Sequence, residues 1–144
     1  MERILVIGAN GQIGSELVEA LAEIHGEENV IAGDIGARSL AGAQRYETLD
    51  VLDSTRLAQV IDSNGITQVY QLAALLSVTG EQAPLRAWTL NMNGLLNILE
   101  IARERTAAGK PLRVFWPSSI AAFGPHTPAV ETPQLTVMDP TTIY

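Results

Sequence analysis

Three glycines spaced three residues apart constrain the fold more than any other feature of this sequence. Gly8, Gly11 and Gly14 follow the apolar run ILVI at residues 4–7 and open an amphipathic stretch at 11–26. Glycine inside a regular element costs about 1 kcal/mol relative to alanine, so it is expected where a side chain would obstruct the structure. The pattern therefore predicts a strand, a tight turn and a helix that starts at once.

The rest of the chain alternates apolar strand-like runs with helical patterns. Strands are expected at 3–8, 29–34, 45–51, 67–75 and 112–119. Helices are expected at 11–26, from a cap at Asp53 or Ser54 to about Ser63, and at 82–109, with a further short stretch at 36–43. This order predicts a doubly wound α/β fold, the Rossmann fold, in which right-handed crossovers bring the C-terminal ends of parallel strands to one ligand-binding edge.

Composition excludes several classes of function. The 144 residues carry 9 Lys and Arg against 16 Asp and Glu, a formal net charge of −7. An acidic chain of this kind is not expected to bind nucleic acid or an anionic membrane. There is no Cys, and the two histidines, His25 and His126, lie far apart, so no metal site is expected. With no signal pattern and no apolar run near the roughly 18 residues that span a bilayer, the expectation is a soluble, cytoplasmic protein.

The glycine turn is interpreted as a cradle for a diphosphate. The first turn of a helix offers unpaired N–H groups and partial positive charge to an anion. Gly8 lets the chain turn, Gly11 removes the Cβ that would block a pyrophosphate, and Gly14 lets the helix pack close to the strand. The alternative is a packing turn without a ligand, but the strand–turn–helix context favours a nucleotide.

Acidic residues at strand ends indicate which dinucleotide is bound. Asp34 ends the second strand, where a carboxylate accepts both ribose hydroxyls of adenosine and repels a 2′-phosphate, so NAD is favoured over NADP. An ordinary turn aspartate is the alternative, and Arg38 nearby keeps NADP open. Asp50 and Val51 close the third strand, where a carboxylate or a backbone carbonyl could meet the adenine amino group. The alternative is that Asp50 is an ordinary solvated loop aspartate.

Six motifs in chain order resemble the extended short-chain dehydrogenase/reductases, a family that includes the nucleotide-sugar epimerases. They are GANGQIG at 8–14, Asp34, LDVLD at 49–53, QLAAL at 71–75, WPSSIAAFG at 116–124 and the terminal Tyr144. Within that family, the segments LAALLSVTGEQAP, WPSSIAAFGP and PTTIY are most similar in sequence to the short-chain-type L-threonine 3-dehydrogenases.

The resemblance implies further cofactor residues beside the glycines and Asp34. Two of them would offer backbone N–H groups to the pyrophosphate, three would lie beside the nicotinamide ribose, and one would face the active site from the long helix. In that order they are Gln12 and Ile13, then Leu72, Ala73 and Ala74, then Asn91. Without the resemblance, the asparagine is by default a polar helix residue.

The resemblance also implies catalytic residues. Ser119, with Ser118 beside it, would orient the substrate hydroxyl, and Tyr144 would be the general base. A tyrosine serves as a base only if its pKa falls from about 10, which a lysine ammonium and the oxidised nicotinamide both favour. The substrate candidates are Ser77, Thr79 and Glu81 in the loop 77–82, with the glutamate facing an ammonium group. Taken alone, the two serines read as turn caps.

The function implied is NAD-dependent oxidation of L-threonine to L-2-amino-3-ketobutyrate. A nucleotide-sugar epimerase or dehydratase with bound NAD is the alternative within the fold, and a non-catalytic NAD-sensing module is the alternative outside it. Because the sequence stops at Tyr144, before the family's lysine and substrate domain, the chain is expected to be an incomplete NAD-binding domain without activity of its own. The full-length enzyme is expected to be a homodimer that uses the helix at 85–108.

Overall fold

The computed structural model describes residues 2–37 and 45–143. Five parallel strands form one sheet in the order β3-β2-β1-β4-β5. Their bounds are β1 Ile4–Ile7, β2 Val30–Asp34, β3 Arg45–Thr48, β4 Gln68–Gln71 and β5 Arg113–Phe115. The strand order reverses between β1 and β4, so the crevice at their carboxyl ends is the place where a doubly wound sheet binds ligands.

Helices cover both faces of this sheet. The α-helices are α1 Gln12–His25, α2 Ser54–Ser63, α3 Ser77–Gln82, α4 Pro84–Trp88 and α5 Gly94–Ala107. A π-helical turn, Thr89–Asn93, joins α4 to α5, and short 3₁₀ turns lie at Glu27–Asn29 and Ile120–Ala122. In the part of the chain that the structure describes, no helix combines the length and the apolar character needed to cross a membrane.

The first strand is buried on both of its faces, as its continuous apolar run predicts. Leu5 and Ile7 point into the core beneath α2 and α5, whereas Ile4 and Val6 point into the core beneath α1. All four are at most 1% exposed. Alternation along a strand sends successive side chains to opposite faces, so an unbroken apolar run is what a doubly covered sheet requires.

Two glycines and one capping side chain define helix ends, and the cap expected at Asp53 is confirmed. The N–H of Gly26, at φ 87°, closes α1 on the carbonyl of Ala22. Asp53 caps α2 by accepting the backbone N–H of Arg56 at 2.9 Å. Gly65, at φ 61°, ends the turn after α2.

Several predicted bounds were wrong. The strand expected at 67–75 ends at Gln71, and the one expected at 112–119 covers only Arg113–Phe115. The single helix expected at 82–109 is interrupted at Ala83 and again by the π-helical turn, and the expected loop 77–82 is helix α3. The helical stretch expected at 36–43 falls mainly on residues outside the described ranges.

Candidate functional site

The glycine turn leaves β1 and passes tightly over the end of β4. Gly8 has φ 84°, and a Cβ added there would lie 2.7 Å from the backbone nitrogen of Ala73. A Cβ at Gly14 would lie 2.2 Å from the carbonyl oxygen of Gly8 and 2.8 Å from the Cα of Ala9. The predicted geometry is therefore confirmed for Gly8 as the turn and for Gly14 as the close-packing position.

The start of α1 is open to an anion. Its N-cap is Gly11, no side chain caps the helix, and the first turn carries no acid. Gln12 and Ile13, the first two residues of α1, are exposed. Because the first N–H groups of a helix have no partner within it, this corner supplies the donors and partial charge that a diphosphate needs. The residues present thus fit the diphosphate of a dinucleotide.

Asp34 lies next to this corner at the end of β2. One carboxylate oxygen accepts the backbone N–H of Asn10 at 3.0 Å, and the other accepts that of Gly36 at 3.1 Å. Each oxygen of a carboxylate has a further acceptor position, so these bonds are compatible with binding two ribose hydroxyls. Arg38, which left NADP open, lies outside the described residues.

Two residues that the sequence did not single out fix the loop after Asp34. The side-chain amide of Asn10 donates to the carbonyl of Ala37 at 3.1 Å and to the hydroxyl of Tyr46 at 3.0 Å. That hydroxyl donates in turn to the carbonyl of Gly36 at 2.7 Å. An asparagine within a glycine turn is an ordinary turn residue, so the sequence gives no signal for Asn10. The register of β3 against β2 is what brings Tyr46 to it.

The phenol of Tyr46 is kept in its neutral form. Burial raises its pKa, the hydrogen bond from Asn10 lowers it, and the negative charge of Asp34 raises it, with an upward net shift. A raised folded pKa means that the neutral phenol contributes stability below the unfolded pKa of about 10, which is lost as the pH rises through the folded value.

This shift predicts a stability difference that depends on pH. Removing the hydroxyl in Tyr46→Phe is expected to lower the free energy of unfolding by about 1 kcal/mol at pH 7. The gap between the parent and the variant should stay constant to about pH 9.5 and narrow above pH 10. Urea unfolding of both chains from pH 7 to pH 11 measures it, and a gap that widens above pH 10 would contradict the assigned direction.

Asp50 and Val51 lie where β3 leads into α2. Asp50 turns one carboxylate oxygen to the backbone N–H of Leu52 at 2.9 Å, as a loop aspartate does. The carbonyl of Val51 accepts from the side-chain amide of Asn97 at 3.0 Å, and its side chain abuts Gly94, where an added Cβ would lie 2.9 Å away. Val51 is thus fixed against the start of α5, and the contact of both residues with adenine stays a prediction.

Two polar contacts hold the exit of β4. The N–H of Leu72 donates to the carbonyl of Ile7 at 2.9 Å, which continues the ladder one residue beyond the strand. The buried side chain of Gln71 donates to the carbonyl of Ala73 at 3.0 Å. The structure therefore brings Leu72 and Ala73 against the glycine turn, and Ala74 is exposed beside them.

Asn91 acts on the same exit from the π-helical turn. Its side-chain oxygen accepts the N–H of Leu75 at 2.8 Å, and its side-chain nitrogen donates to the carbonyl of Leu75 at 3.1 Å. These two bonds to the backbone N–H and carbonyl of one residue occupy both polar ends of the side chain. π-Helical turns are frequent at functional sites, and here the turn places Asn91 so that it positions the backbone beyond β4.

The residues expected to be catalytic lie after β5. Ser119 is half-buried, and its hydroxyl accepts the N–H of Ala121 at 3.1 Å, which caps a short 3₁₀ turn. A hydroxyl accepts and donates at once, so this bond leaves a donor for a substrate oxygen. Ser118 is exposed. Tyr144 lies outside the described residues.

The segment from 119 to 143 folds back on itself. The N–H of Asp139 donates to the carbonyl of Ala122 at 3.1 Å, and its carboxylate contacts the Nδ1 of His126 at 2.8 Å. The hydroxyl of Thr127 donates to the carbonyl of Val137 at 2.7 Å. These contacts hold the two arms of the segment together.

The substrate candidates lie on helix α3. Ser77, Thr79 and Glu81 are all exposed there. One carboxylate oxygen of Glu81 accepts the backbone N–H of Ile143 at 2.9 Å, which brings the residue before Tyr144 to α3. Among the residues at 2–37 and 45–143, no group of three His, Asp or Glu side chains lies close enough to hold a metal ion.

Comparisons with known proteins agree with this geometry. The model of the NAD dependent epimerase/dehydratase family matches residues 4–144. An uncharacterized epimerase/dehydratase of Staphylococcus saprophyticus is 46% identical over 147 residues, covering 100% of this chain and 44% of the relative. The chain thus spans less than half the length of the curated relatives it matches.

Solved structures of threonine dehydrogenases match the same segment. The holo form of an L-threonine dehydrogenase from Cupriavidus necator is 57% identical, with a TM-score of 0.91 over 98% of this chain and 45% of that one. An L-threonine dehydrogenase from Clostridium difficile is 43% identical, with a TM-score of 0.91 over 99% of this chain and 44% of that one. The predicted α/β fold and family are confirmed. The chain belongs to the NAD-dependent epimerase/dehydratase family, and NAD is its cofactor.

Proposed function

We propose that this chain is the NAD-binding part of an L-threonine 3-dehydrogenase, which oxidises L-threonine to L-2-amino-3-ketobutyrate. The observation that carries the proposal is the similarity, through 98% of the chain, to the holo enzyme of Cupriavidus necator. The open start of α1, the acid at the end of β2 and the serine turn after β5 support it.

The oxidation breaks the C–H and O–H bonds of the secondary alcohol and forms a ketone. When bound, NAD⁺ accepts the hydride from carbon. Ser119 donates a hydrogen bond to the substrate oxygen, and Tyr144 takes the hydroxyl proton as general base. Of the two neighbouring serines, Ser119 is the better candidate because its hydroxyl is fixed by a backbone partner, whereas Ser118 is exposed.

The cofactor is proposed to run along the carboxyl edge of the sheet. The backbone N–H groups at the start of α1, Gln12 and Ile13 included, would hold its diphosphate, and Asp34 would hold its adenosine ribose. Asp50 and Val51 would contact the adenine. The exit of β4, which Asn91 holds through Leu75, would contact the nicotinamide half.

The amino acid is proposed to bind between helix α3 and the serine turn. Ser77 and Thr79 present hydroxyls on the exposed surface of α3. Glu81 has one carboxylate oxygen on the backbone of Ile143, so its other oxygen is the one assigned to the substrate ammonium. This arrangement couples substrate binding to the chain segment that leads into Tyr144.

A chimera tests the function as a whole. The 144 residues replace the matching segment of the Cupriavidus necator enzyme, and the product is supplied with L-threonine and NAD⁺. We expect NADH to accumulate, followed by its absorbance near 340 nm. A parallel assay with a nucleotide sugar is the control for the alternative reaction.

The outcomes separate the three candidate functions. An epimerase or dehydratase would recycle bound NAD and convert the nucleotide sugar without accumulating NADH. A sensing module would bind NAD and convert neither substrate. Either result would contradict the proposal, whereas NADH growth that requires threonine supports it.

We also propose that the complete enzyme is a homodimer that pairs through α4 and α5. Large apolar side chains recur along one side of these helices although they are exposed, with Leu85 83% and Leu96 54% exposed. Trp88 and Leu99 extend the same row. Contiguous exposed apolar surface of this kind marks an interface.

Sedimentation of the chimera measures the pairing. Leu96→Glu is expected to shift the dimer to monomer at micromolar concentration, because a carboxylate would be buried in the interface. Ile24→Glu, at an exposed apolar position of α1 that is 73% exposed, is the matched control and should leave the mass unchanged. A dimer that persists in Leu96→Glu would place the interface elsewhere.

A further inference from the structure

We infer that Asn10 and Tyr46 form a clamp that sets the preference for NAD over NADP by fixing the carboxylate of Asp34. The inference rests on the proposed position of the adenosine ribose at Asp34. Neither residue was expected to have a role from the sequence. Both act through another residue, so they are positioning residues rather than cofactor ligands.

The Asn10–Tyr46 clamp joins three segments that approach the ribose site. Asn10 comes from the turn between β1 and α1, the loop 34–37 follows β2, and Tyr46 lies in β3. The amide of Asn10 and the hydroxyl of Tyr46 together bind two successive carbonyls of the loop, those of Gly36 and Ala37. The loop is therefore held from both sides without any contribution from a ligand.

The clamp decides where the acid points. With the loop fixed, Asp34 receives the backbone N–H groups of Asn10 and Gly36 on its two oxygens. A ribose with a free 2′-hydroxyl donates to the remaining acceptor positions. A 2′-phosphate meets a fixed negative charge and finds those two N–H groups already occupied, so both attraction and space are denied to it.

Loosening the loop reverses both effects. If Asp34 swings away, the hydroxyls of NAD lose their acceptor, and the two N–H groups become donors available to a phosphate. Affinity for NAD should fall while affinity for NADP holds or rises. A change in the ratio of the two affinities is what distinguishes this role from a general loss of stability.

One feature of Asn10 argues that it is not kept for stability alone. Its side-chain oxygen is buried and has no hydrogen-bond partner among the described residues. A buried acceptor without a donor is unfavourable. The side-chain nitrogen of Asn10 nevertheless donates two hydrogen bonds. We explain the unfavourable position of the oxygen by the role of this nitrogen, which holds the loop at Asp34.

The test is calorimetric titration of the chain with NAD⁺ and with NADP⁺. In Tyr46→Phe and in Asn10→Ala, affinity for NAD⁺ is expected to fall about five- to tenfold. Each variant removes roughly one hydrogen bond that helps to hold the charged Asp34 in place. Affinity for NADP⁺ is expected to stay level or increase. The ratio of the two therefore narrows at least fivefold.

The matched control is Tyr70→Phe on β4. That hydroxyl also takes part in one side-chain hydrogen bond, from Gln68 at 2.7 Å, but it has no contact with the loop at Asp34. It should leave the ratio of affinities unchanged. Thermal unfolding of each ligand-free variant checks that it is folded, and Tyr46→Phe, which removes a single oxygen, remains informative if Asn10→Ala does not fold.

The outcomes keep the two proposals apart. A folded parent chain that does not bind NAD⁺ would contradict the proposed cofactor site itself. A parent that binds NAD⁺, with variants that lose both cofactors equally or lose neither, would overturn the clamp and leave the site standing. A narrowed ratio in both variants, absent from Tyr70→Phe, supports the clamp.

Discussion

Gly14→Ala is expected to destabilise the fold by about 3 kcal/mol and to weaken NAD binding more than tenfold, because the first turn of α1 must move away from β1. The added Cβ would lie 2.2 Å from the carbonyl oxygen of Gly8 and 2.8 Å from the Cα of Ala9. Both neighbours are backbone atoms, so no side chain can rotate to relieve the overlap. The turn that we propose to cradle the diphosphate is the part that shifts.

Urea unfolding and calorimetric titration with NAD⁺ measure the two effects together. Gly80→Ala is the matched control, since its Cβ would meet only the Cβ of Ala87 at an ordinary 3.5 Å. Within helix α3 this change should be neutral or stabilising by up to about 1 kcal/mol. If Gly14→Ala kept both the stability and the NAD affinity of the parent, the close-packed turn would not be the cradle.

The positions of the strands could be predicted from the sequence because burial on both faces leaves a continuous apolar run. The ends of β4 and β5 could not. The apolar run after Gln71 continues through Leu72 and Ala73, but the chain there leaves the sheet to pass beneath Gly8. The N–H of Leu72 still donates to Ile7 in β1. Beyond it, the side chain of Gln71 binds the carbonyl of Ala73, and that of Asn91 binds the N–H and carbonyl of Leu75. An apolar run predicts that a segment is buried. It does not predict which partner completes the backbone hydrogen bonds of that segment.

The interrupted helix has a similar explanation. Pro84 marks the start of α4 in sequence, because proline suits the first turn of a helix. The π-helical turn at Thr89–Asn93 has no such local marker. It is associated with the hydrogen bonds of Asn91 to the backbone N–H and carbonyl of Leu75, sixteen residues earlier in the chain. The hydrophobic periodicity of a short window cannot predict a contact between residues so far apart in sequence.

The same distinction divides the candidate site. Residues recognised by motif, such as Gly8, Gly14 and Asp34, are those whose chemistry or lack of a side chain is unusual at their position. Asn10 and Tyr46 are common residue types in common places, and the role that we propose for them depends on the parallel pairing of β2 with β3, which sets Ala32 opposite Tyr46. Positioning residues of this kind are visible only once the register of the sheet is known.

Tyr144→Phe in the chimera is expected to lower kcat by about a thousandfold while NAD affinity stays within about threefold of the parent, since general-base catalysis is worth roughly 10²–10⁴. The variant keeps the aromatic ring and loses only the hydroxyl, the group that we propose takes the substrate's proton. Single-turnover formation of NADH with saturating L-threonine measures the chemical step, and calorimetry measures the cofactor.

Ser119→Ala tests the proposed role of Ser119 in orienting the substrate hydroxyl, separately from the proposed base. It is expected to lower kcat by about a hundredfold, and Ser119→Thr, which keeps a hydroxyl, should recover part of the loss. Tyr70→Phe controls for the removal of a tyrosine hydroxyl outside the site. For Tyr144→Phe, a loss in kcat without a loss in NAD affinity would assign the acid–base step to the segment that ends at Tyr144. That segment is held by α3, because the backbone N–H of Ile143 is hydrogen-bonded to Glu81.

A Tyr144→Phe enzyme whose kcat is within tenfold of the parent's would show that another group takes the proton.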